Sequence, residues 1–185
     1  QLPVWQRFYE KHKDRGFELV SVAMDAQGAG RVRPFVQAAG VTYPVLLDEE
    51  NLLGRIFGFR VIPNGFLVDE QGVLRFKHIG GYDVRKPGVA EHLEALLVGS
   101  TAQAPAQAAA ADAPRIAAQI FALFQEGVAL YRQGKAAEAA ARWREAERLD
   151  PANFVVRKQL WAVENPDRFY PEIDLDWQKK ILGKA

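Results

Sequence analysis

An alanine-rich segment at residues 100–114 divides the chain in two and limits what each part can become. Eight of its 15 residues are alanine, two are proline, and none carries a large apolar side chain. Because such a segment has nothing to bury, we expect a flexible linker with transient helix at residues 108–111. An alanine-rich helix packed on a neighbouring element is the alternative. The 99 residues before the linker and the 71 after it could each form one small domain.

The first part, residues 1–99, alternates between helical and strand-like patterns. Apolar residues recur at helical spacing in residues 3–15, 30–39, 52–57 and 87–98. Short apolar runs typical of buried strands lie at residues 17–24, 43–47, 65–69 and 73–79. A Glu-Gln-Gly turn between the last two runs predicts an antiparallel hairpin. This order predicts an α/β fold, in which helices cover both faces of a mostly parallel sheet.

The second part, residues 115–185, shows only helical patterns, at residues 115–132, 136–149 and 151–164. Pro166 ends the third helix because proline cannot donate the hydrogen bond that a helix interior needs. We expect the tail to dock on the protein, since it holds large apolar side chains at Phe169, Tyr170, Ile173, Leu175 and Trp177.

Cysteine is absent from all 185 residues. Disulfides, thiolate catalysis and cysteine-bound zinc are therefore impossible within this chain. The histidines at positions 12, 78 and 92 are scattered without metal-ligand spacing, so we expect no metal and no cofactor. Charges nearly cancel, at 24 basic against 23 acidic residues, which gives nucleic-acid binding little support. No apolar run approaches the ~20 residues that a membrane span needs.

A Val-Ile-Pro sequence at residues 61–63 stands between a predicted helix and a predicted strand. Proline directly before a strand is unusual because it lacks an N–H donor. The arrangement resembles the thioredoxin fold, in which a cis-proline precedes a core strand and faces the redox cysteines. The resemblance implies that Pro63 is this cis-proline of the catalytic site. It also implies that Ile62 binds substrate by pairing its backbone with a polypeptide. An ordinary trans-proline turn is the alternative.

Residues 1–98 as a whole resemble the TlpA/ResA-like and AhpC/TSA branch of the redoxins. The extra helix and strand ending in Tyr-Pro-Val-Leu-Leu-Asp at residues 43–48 match the insertion of that branch. Gln1 precedes Leu-Pro where the family has glutamate, so the resemblance implies a Cys-x-x-Cys motif just upstream of Gln1. Asn64-Gly65 replaces the usual Thr-Thr, which we expect to loosen the loop.

The resemblance also implies a first core strand upstream of Gln1. In the thioredoxin fold this strand lies between those predicted at residues 17–24 and 65–69. Neighbouring strands are ~4.8 Å apart, so without it the sheet would have a gap of about 10 Å. We therefore expect the natural protein to contain this strand.

The second part resembles a tetratricopeptide repeat, a 34-residue helix–turn–helix unit. With the proline of the repeat placed at Pro151, the matching positions are Gly127, Gly134, Ala139, Trp143 and Ala146. An ordinary alanine-rich helical hairpin is the alternative. A concave groove needs about three repeats, and this segment has room for one and a half. A protein partner or self-association through the module is therefore left open.

The resemblance implies a thiol–disulfide oxidoreductase, in which one cysteine attacks a disulfide and a second resolves the mixed disulfide. A thiol peroxidase is the first alternative, and it differs only in residues upstream of Gln1. A redox-inactive thioredoxin-like adaptor, whose tetratricopeptide-like hairpin recruits a partner, is the second, favoured by the absence of cysteine. The implied partners are a protein thiol or disulfide substrate and a redox donor, outside the bacterial cytoplasm. The chain of 185 residues should itself be inactive, because it holds no thiolate.

Overall fold

The first part of the chain alternates between helices and strands, as its hydrophobic pattern predicts. The computed structural model describes residues 1–98 and 113–182. The helices of the first part are α1 (Leu2–His12), α2 (Ala29–Ala39), α3 (Leu52–Phe57) and α4 (Val89–Leu97). Its strands are β1 (Ser21–Ala23), β2 (Val45–Leu47), β3 (Gly65–Val68) and β4 (Leu74–His78). Glycines in the left-handed conformation end α2 and α3, at Gly40 and Gly58.

The second part is helical throughout its described residues. Its helices are α5 (Ala113–Arg132), α6 (Ala136–Leu149), α7 (Phe154–Glu164) and α8 (Leu175–Ile181). Short 3-10 turns follow α1 and α7, at Lys13–Arg15 and Pro166–Arg168. The predicted linker at residues 100–112, with its transient helix at residues 108–111, lies outside the described residues. Residues 113–114, which composition groups with the linker, begin α5.

The strands form two separate sheets of two strands each. β1 pairs in parallel with β2, with Ser21 opposite Val45. β3 pairs antiparallel with β4, with Gly65 opposite His78. Within residues 1–98 and 113–182 no strand joins β1 to β3, so the single sheet expected from the sequence is not formed. The separation falls where the resemblance places a further strand, and strands more than one spacing apart cannot share hydrogen bonds.

α1 and α4 pack together around an aromatic core. Phe8 of α1 and Leu93 of α4 are buried in one cluster with Phe17 and Val84. At the edge of this cluster, Glu94 accepts hydrogen bonds from Lys11 Nζ at 2.7 Å and lies 3.2 Å from His12 Nε2. The apolar faces predicted for the first and last helices of this part therefore meet each other.

α5 and α6 form a helical hairpin around Trp143. The Trp143 side chain is fully buried, and its Nε1 donates a hydrogen bond to the Phe124 carbonyl at 3.1 Å. Gly127 faces the indole ring, and a Cβ atom added there would overlap it. A glycine at this position therefore lets the two helices approach closely enough to bury a tryptophan between them.

The tail after α7 packs back on that helix. Trp177 of α8 lies edge-on to Trp161 of α7, with ring centroids 5.8 Å apart. Phe169 is buried, and its ring stands 6.1 Å from that of Trp177. The sequence did not predict α8, whose first turn is capped by Asp174 accepting from the Trp177 N–H. In the described part of the chain, no helix is long and apolar enough to cross a membrane.

The two parts share a core. Ala26, just after β1, is 2% exposed and belongs to the same cluster as Phe124, Trp143 and Leu160. Ion pairs also join the two parts, from Arg132 to Glu49 and Glu50 and from Arg60 to Asp150. The composition of residues 100–114 predicts a boundary here, but it does not predict that the two sides of the boundary pack on each other.

Candidate functional site

Both residues that the resemblance singles out lie in the loop between α3 and β3. The Ile62–Pro63 peptide bond is cis. Ile62 is half-buried, whereas Pro63 is exposed. The loop leads directly into β3, which begins at Gly65, two residues after the proline.

The backbone of Ile62 is the part of this loop that remains open. Its neighbours are engaged, because the Val61 carbonyl accepts from Asn64 Nδ2 at 2.8 Å and the Pro63 carbonyl accepts from the Tyr82 N–H at 3.2 Å. Neither the N–H nor the C=O of Ile62 has a hydrogen-bond partner among residues 1–98 and 113–182. A backbone N–H or C=O that is removed from water needs another partner. Water or an added chain can therefore pair with Ile62.

Asn64 and Gly65 hold the loop in place, and the expectation that they loosen it is wrong. The Asn64 amide donates to the Val61 carbonyl, and its Oδ1 accepts from the Gly80 N–H at 2.7 Å. Gly65 lies against the Tyr82 ring, where any Cβ atom would overlap the ring. The Asn64 side chain thus links two loops. Because Gly65 has no side chain, the Tyr82 ring can pack against its backbone.

Tyr82 connects the Ile62 loop to the first turns of α1. The sequence analysis did not identify this residue. Its N–H donates to the Pro63 carbonyl, and its ring centroid lies 5.9 Å from that of Trp5. Burial raises the pKa of Tyr82, and its hydroxyl is buried without a partner in the described part of the chain. The two glycines directly before Tyr82 were the one local sign that the chain here packs closely against another segment. The Ile62 loop and the N-terminal turns of α1 are consequently neighbours.

Gln159 of α7 anchors the second part of the chain to the end of β1. Its Oε1 accepts from the Ala26 N–H at 2.9 Å, and its Nε2 donates to the Met24 carbonyl at 2.9 Å. The Gln159 amide thereby pairs with the Ala26 N–H and the Met24 C=O in the way that the backbone of a neighbouring strand would. A second contact lies nearby, because the Val155 N–H donates to the Arg60 carbonyl at 3.3 Å. Sequence reasoning missed Gln159, whose only signal is a buried polar residue on an apolar helix face.

A cleft of about 120 Å³ lies between these two parts, and Ile62 forms part of its wall. Met24, Asp25 and Gln27 complete the wall on the side of the first part. The opposite wall comes from α7 and the tail, including Lys158, Phe169, Tyr170, Ile173 and Gln178. The predicted docking residue therefore lies in a cleft that the second part of the chain helps to form.

Two acid–base groups meet at the rim of this cleft. The Tyr170 hydroxyl lies 3.3 Å from Asp25 Oδ2 and 3.2 Å from Gln27 Oε1. Burial, followed by the nearby Asp25 carboxylate, raises the pKa of Tyr170. Burial likewise raises the pKa of Asp25, although hydrogen bonds from the Gln27 N–H and from Tyr170 oppose this change. Tyr170 therefore stays protonated and holds the Asp25 side chain against the cleft wall.

Comparison with known protein families decides what the first part is. The Redoxin family matches residues 1–93, which are half of the chain. The chain belongs to the Redoxin family. Residues 1–93 are referred to below as the Redoxin region.

Curated relatives match part of the chain. The sporulation thiol-disulfide oxidoreductase A of Bacillus subtilis (strain 168) is 32% identical over 82 residues, 43% of this chain and 50% of that protein. The thiol-disulfide oxidoreductase ResA of Bacillus thuringiensis (strain Al Hakam) is 28% identical over 80 residues, 43% of this chain and 46% of that protein. ResA of Geobacillus thermodenitrificans (strain NG80-2) is 25% identical over 96 residues, 52% and 53% of the two chains.

The chain spans about half the length of the curated relatives it matches. No solved structure gives a significant match. The Redoxin match ends at residue 93, so all residues of α5 to α8 lie outside it. The cleft beside Ile62 is thus built from the Redoxin region on one side and from helices that this match does not include on the other.

Proposed function

We propose that this Redoxin chain is part of a thiol–disulfide oxidoreductase that acts on protein substrates. Membership of the family and the names of the curated relatives support the reaction class. One observation supports the docking role: the unpaired N–H and C=O of Ile62, which lie in a loop held beside the first turns of α1. An extended substrate segment can add its backbone to these two groups as a strand adds to an edge.

The proposed reaction needs two thiols that this chain does not contain. A cysteine thiolate attacks one sulfur of the substrate disulfide, forms a mixed disulfide and releases a substrate thiolate. A second cysteine thiolate then attacks the mixed disulfide, which forms an enzyme disulfide and releases the other substrate thiolate. A dithiol donor returns the enzyme disulfide to two thiols. In the proposal both cysteines precede Gln1, while Ile62 holds the substrate backbone and Pro63 bounds the docking loop.

The test compares the natural protein with the 185-residue chain. We expect mass spectrometry of the natural protein to find a Cys-x-x-Cys motif before the Gln-Leu-Pro sequence, and we expect insulin disulfide reduction by that protein. The 185-residue chain should reduce neither insulin disulfides nor peroxide, since both reactions need a thiolate nucleophile. A lone cysteine and peroxide turnover in the natural protein would support a thiol peroxidase instead.

A redox-inactive adaptor is the second candidate, favoured by the absence of cysteine from all 185 residues. It would use the Ile62 loop to bind polypeptides without exchanging disulfides. A natural protein that binds polypeptide substrates but contains no cysteine before Gln1 would establish this candidate and exclude the oxidoreductase.

For the second part we propose a tetratricopeptide-like module. The hairpin of α5 and α6, with Trp143 buried against Gly127, supports this assignment. The same resemblance supports a protein partner or self-association through the module, which sedimentation of the full chain tests. The resemblance of the Redoxin region supports a place outside the bacterial cytoplasm, which fractionation of the source cells tests.

A further inference from the structure

Two side chains that line the cleft beside Ile62, Lys158 and Gln178, carry hydrogen-bond donors without a partner among the described residues. Gln178 is 7% exposed, and its Nε2 is buried without a partner in the described residues. The Lys158 ammonium forms neither a hydrogen bond nor an ion pair with any residue that the structure describes, and burial lowers its pKa. Desolvated donors of this kind raise the free energy of the folded state unless something accepts from them. Both therefore favour an occupant that brings acceptor oxygens.

The remaining groups of the cleft restrict that occupant further. The Asp25 carboxylate is already engaged by the Gln27 N–H and the Tyr170 hydroxyl. Phe169 and Ile173 add apolar wall. Ile62 also lines the cleft, and its backbone N–H and C=O have no partner among the described residues, so they can pair with an extended chain. A polypeptide segment with a carboxylate side chain beside an apolar one satisfies all of these groups.

We propose that this cleft binds an acidic segment of the protein substrate. The carboxylate of an aspartate or glutamate side chain accepts from Lys158 and Gln178, while the backbone of the segment pairs with Ile62. This inference rests on the docking role proposed for Ile62. It makes the second part of the chain a determinant of substrate choice, because Lys158 and Gln178 both lie outside the Redoxin region.

The experiment measures binding of two fluorescein-labelled nine-residue peptides to the full 185-residue chain by fluorescence anisotropy. One peptide has Leu-Glu-Leu at its centre and the other has Leu-Gln-Leu, in otherwise identical sequences. A hydrogen-bonded charge is worth ~1.5–3 kcal/mol, so we expect the glutamate peptide to bind about tenfold more tightly or better. Lys158→Met keeps the aliphatic stem and should remove this preference. Lys180→Met makes the same change at an exposed position of α8 and should retain it.

Each alternative result has a defined meaning. Equal binding of the two peptides, no binding of either, or an equal loss of preference in both lysine variants would overturn the proposal. Acetate that raises the melting temperature in a Lys158-dependent manner, without any peptide binding, would replace the polypeptide with a free small acid. Lys158→Gln serves as a second variant if Lys158→Met fails to fold.

This experiment is separable from the test of the redox function, because it needs no cysteine. A natural protein without the Cys-x-x-Cys motif would remove the oxidoreductase and leave the peptide preference unchanged. Conversely, loss of the preference in a protein that still reduces insulin disulfides would remove only the acidic-segment proposal.

Discussion

At the scale of single residues, Gly127 is the position where packing and intrinsic helix preference conflict. Glycine within a helix is less favourable than alanine by ~0.5–1 kcal/mol. At Gly127, however, a Cβ atom would overlap the buried Trp143 indole. We expect Gly127→Ala to lower the free energy of unfolding by ~1–3 kcal/mol, the usual effect of overpacking. Urea denaturation of the full chain measures this change.

Gly30 provides the matched control for that substitution. It lies in α2, is exposed, and has open space where a Cβ atom would be placed. Gly30→Ala should therefore raise the free energy of unfolding by ~0.5–1 kcal/mol. If both substitutions shift the free energy of unfolding in the same direction, Gly127 does not lie close against the Trp143 ring.

Asp25 predicts a pH dependence of stability. Burial raises its pKa above the ordinary value of 3.8, so the folded state binds the proton more tightly than the unfolded state. The stability that Asp25 contributes is therefore fully present below pH 3.8 and is lost as the pH rises through the raised pKa. Asp25→Asn removes this loss, so its stability relative to the native chain should increase across that range and then level off.

Urea denaturation at a series of pH values checks this prediction. A difference between Asp25→Asn and the native chain that stays constant with pH would show that the Asp25 carboxyl is not desolvated by its surroundings.

At the scale of secondary-structure elements, the Gln159 side chain hydrogen-bonds α7 to the backbone that follows β1. Gln159→Leu has similar volume but leaves the Ala26 N–H and the Met24 C=O without their partner. An unsatisfied buried group costs ~1–3 kcal/mol, so we expect a loss of at least that size in the free energy of unfolding. Gln37→Leu, on the exposed surface of α2, should change it by no more than about 0.5 kcal/mol. Similar effects of the two substitutions would contradict the anchoring role of Gln159.

At the scale of the whole molecule, the shared core predicts that the two parts open together. Trp143→Ala removes a fully buried side chain and should cost ~3–5 kcal/mol. Because Ala26 packs in the same cluster, amide hydrogen exchange should become faster not only in residues 113–182 but also in residues 21–30. Mass spectrometry of peptic fragments measures both regions in one experiment.

Trp143→Phe is a milder variant for the same exchange experiment, because it keeps an aromatic ring but loses the hydrogen bond to the Phe124 carbonyl. It should accelerate exchange in both regions by less than Trp143→Ala does. Faster exchange confined to residues 113–182 would mean that the two parts unfold independently despite their contact.

Much of the secondary structure was predictable because its signals are local. The ranges predicted at residues 52–57 and 136–149 coincide with α3 and α6. Gly58 marks the end of α3, and the Gln-Gly-Lys turn marks the start of α6. Strands were predicted less well. The apolar run at residues 17–24 contributes only Ser21–Ala23, since a strand exists only where another strand pairs with it. The composition of a run does not state how much of it finds a partner.

The candidate site likewise contains residues that the sequence identified and residues that only the structure identified. The sequence by itself determined the position of Ile62 and Pro63, because a proline before a strand is a local pattern. Only the tertiary structure showed that the Tyr82 N–H donates to the Pro63 carbonyl. It also placed Gln159 against Met24 and Ala26, and Gln159 and Ala26 are 133 positions apart in the chain. Contacts of that separation follow from how whole elements pack, and a polar residue on a helix carries no sign of the backbone it will meet. The cleft that combines Ile62 with Lys158 was therefore decided by the fold and not by any motif.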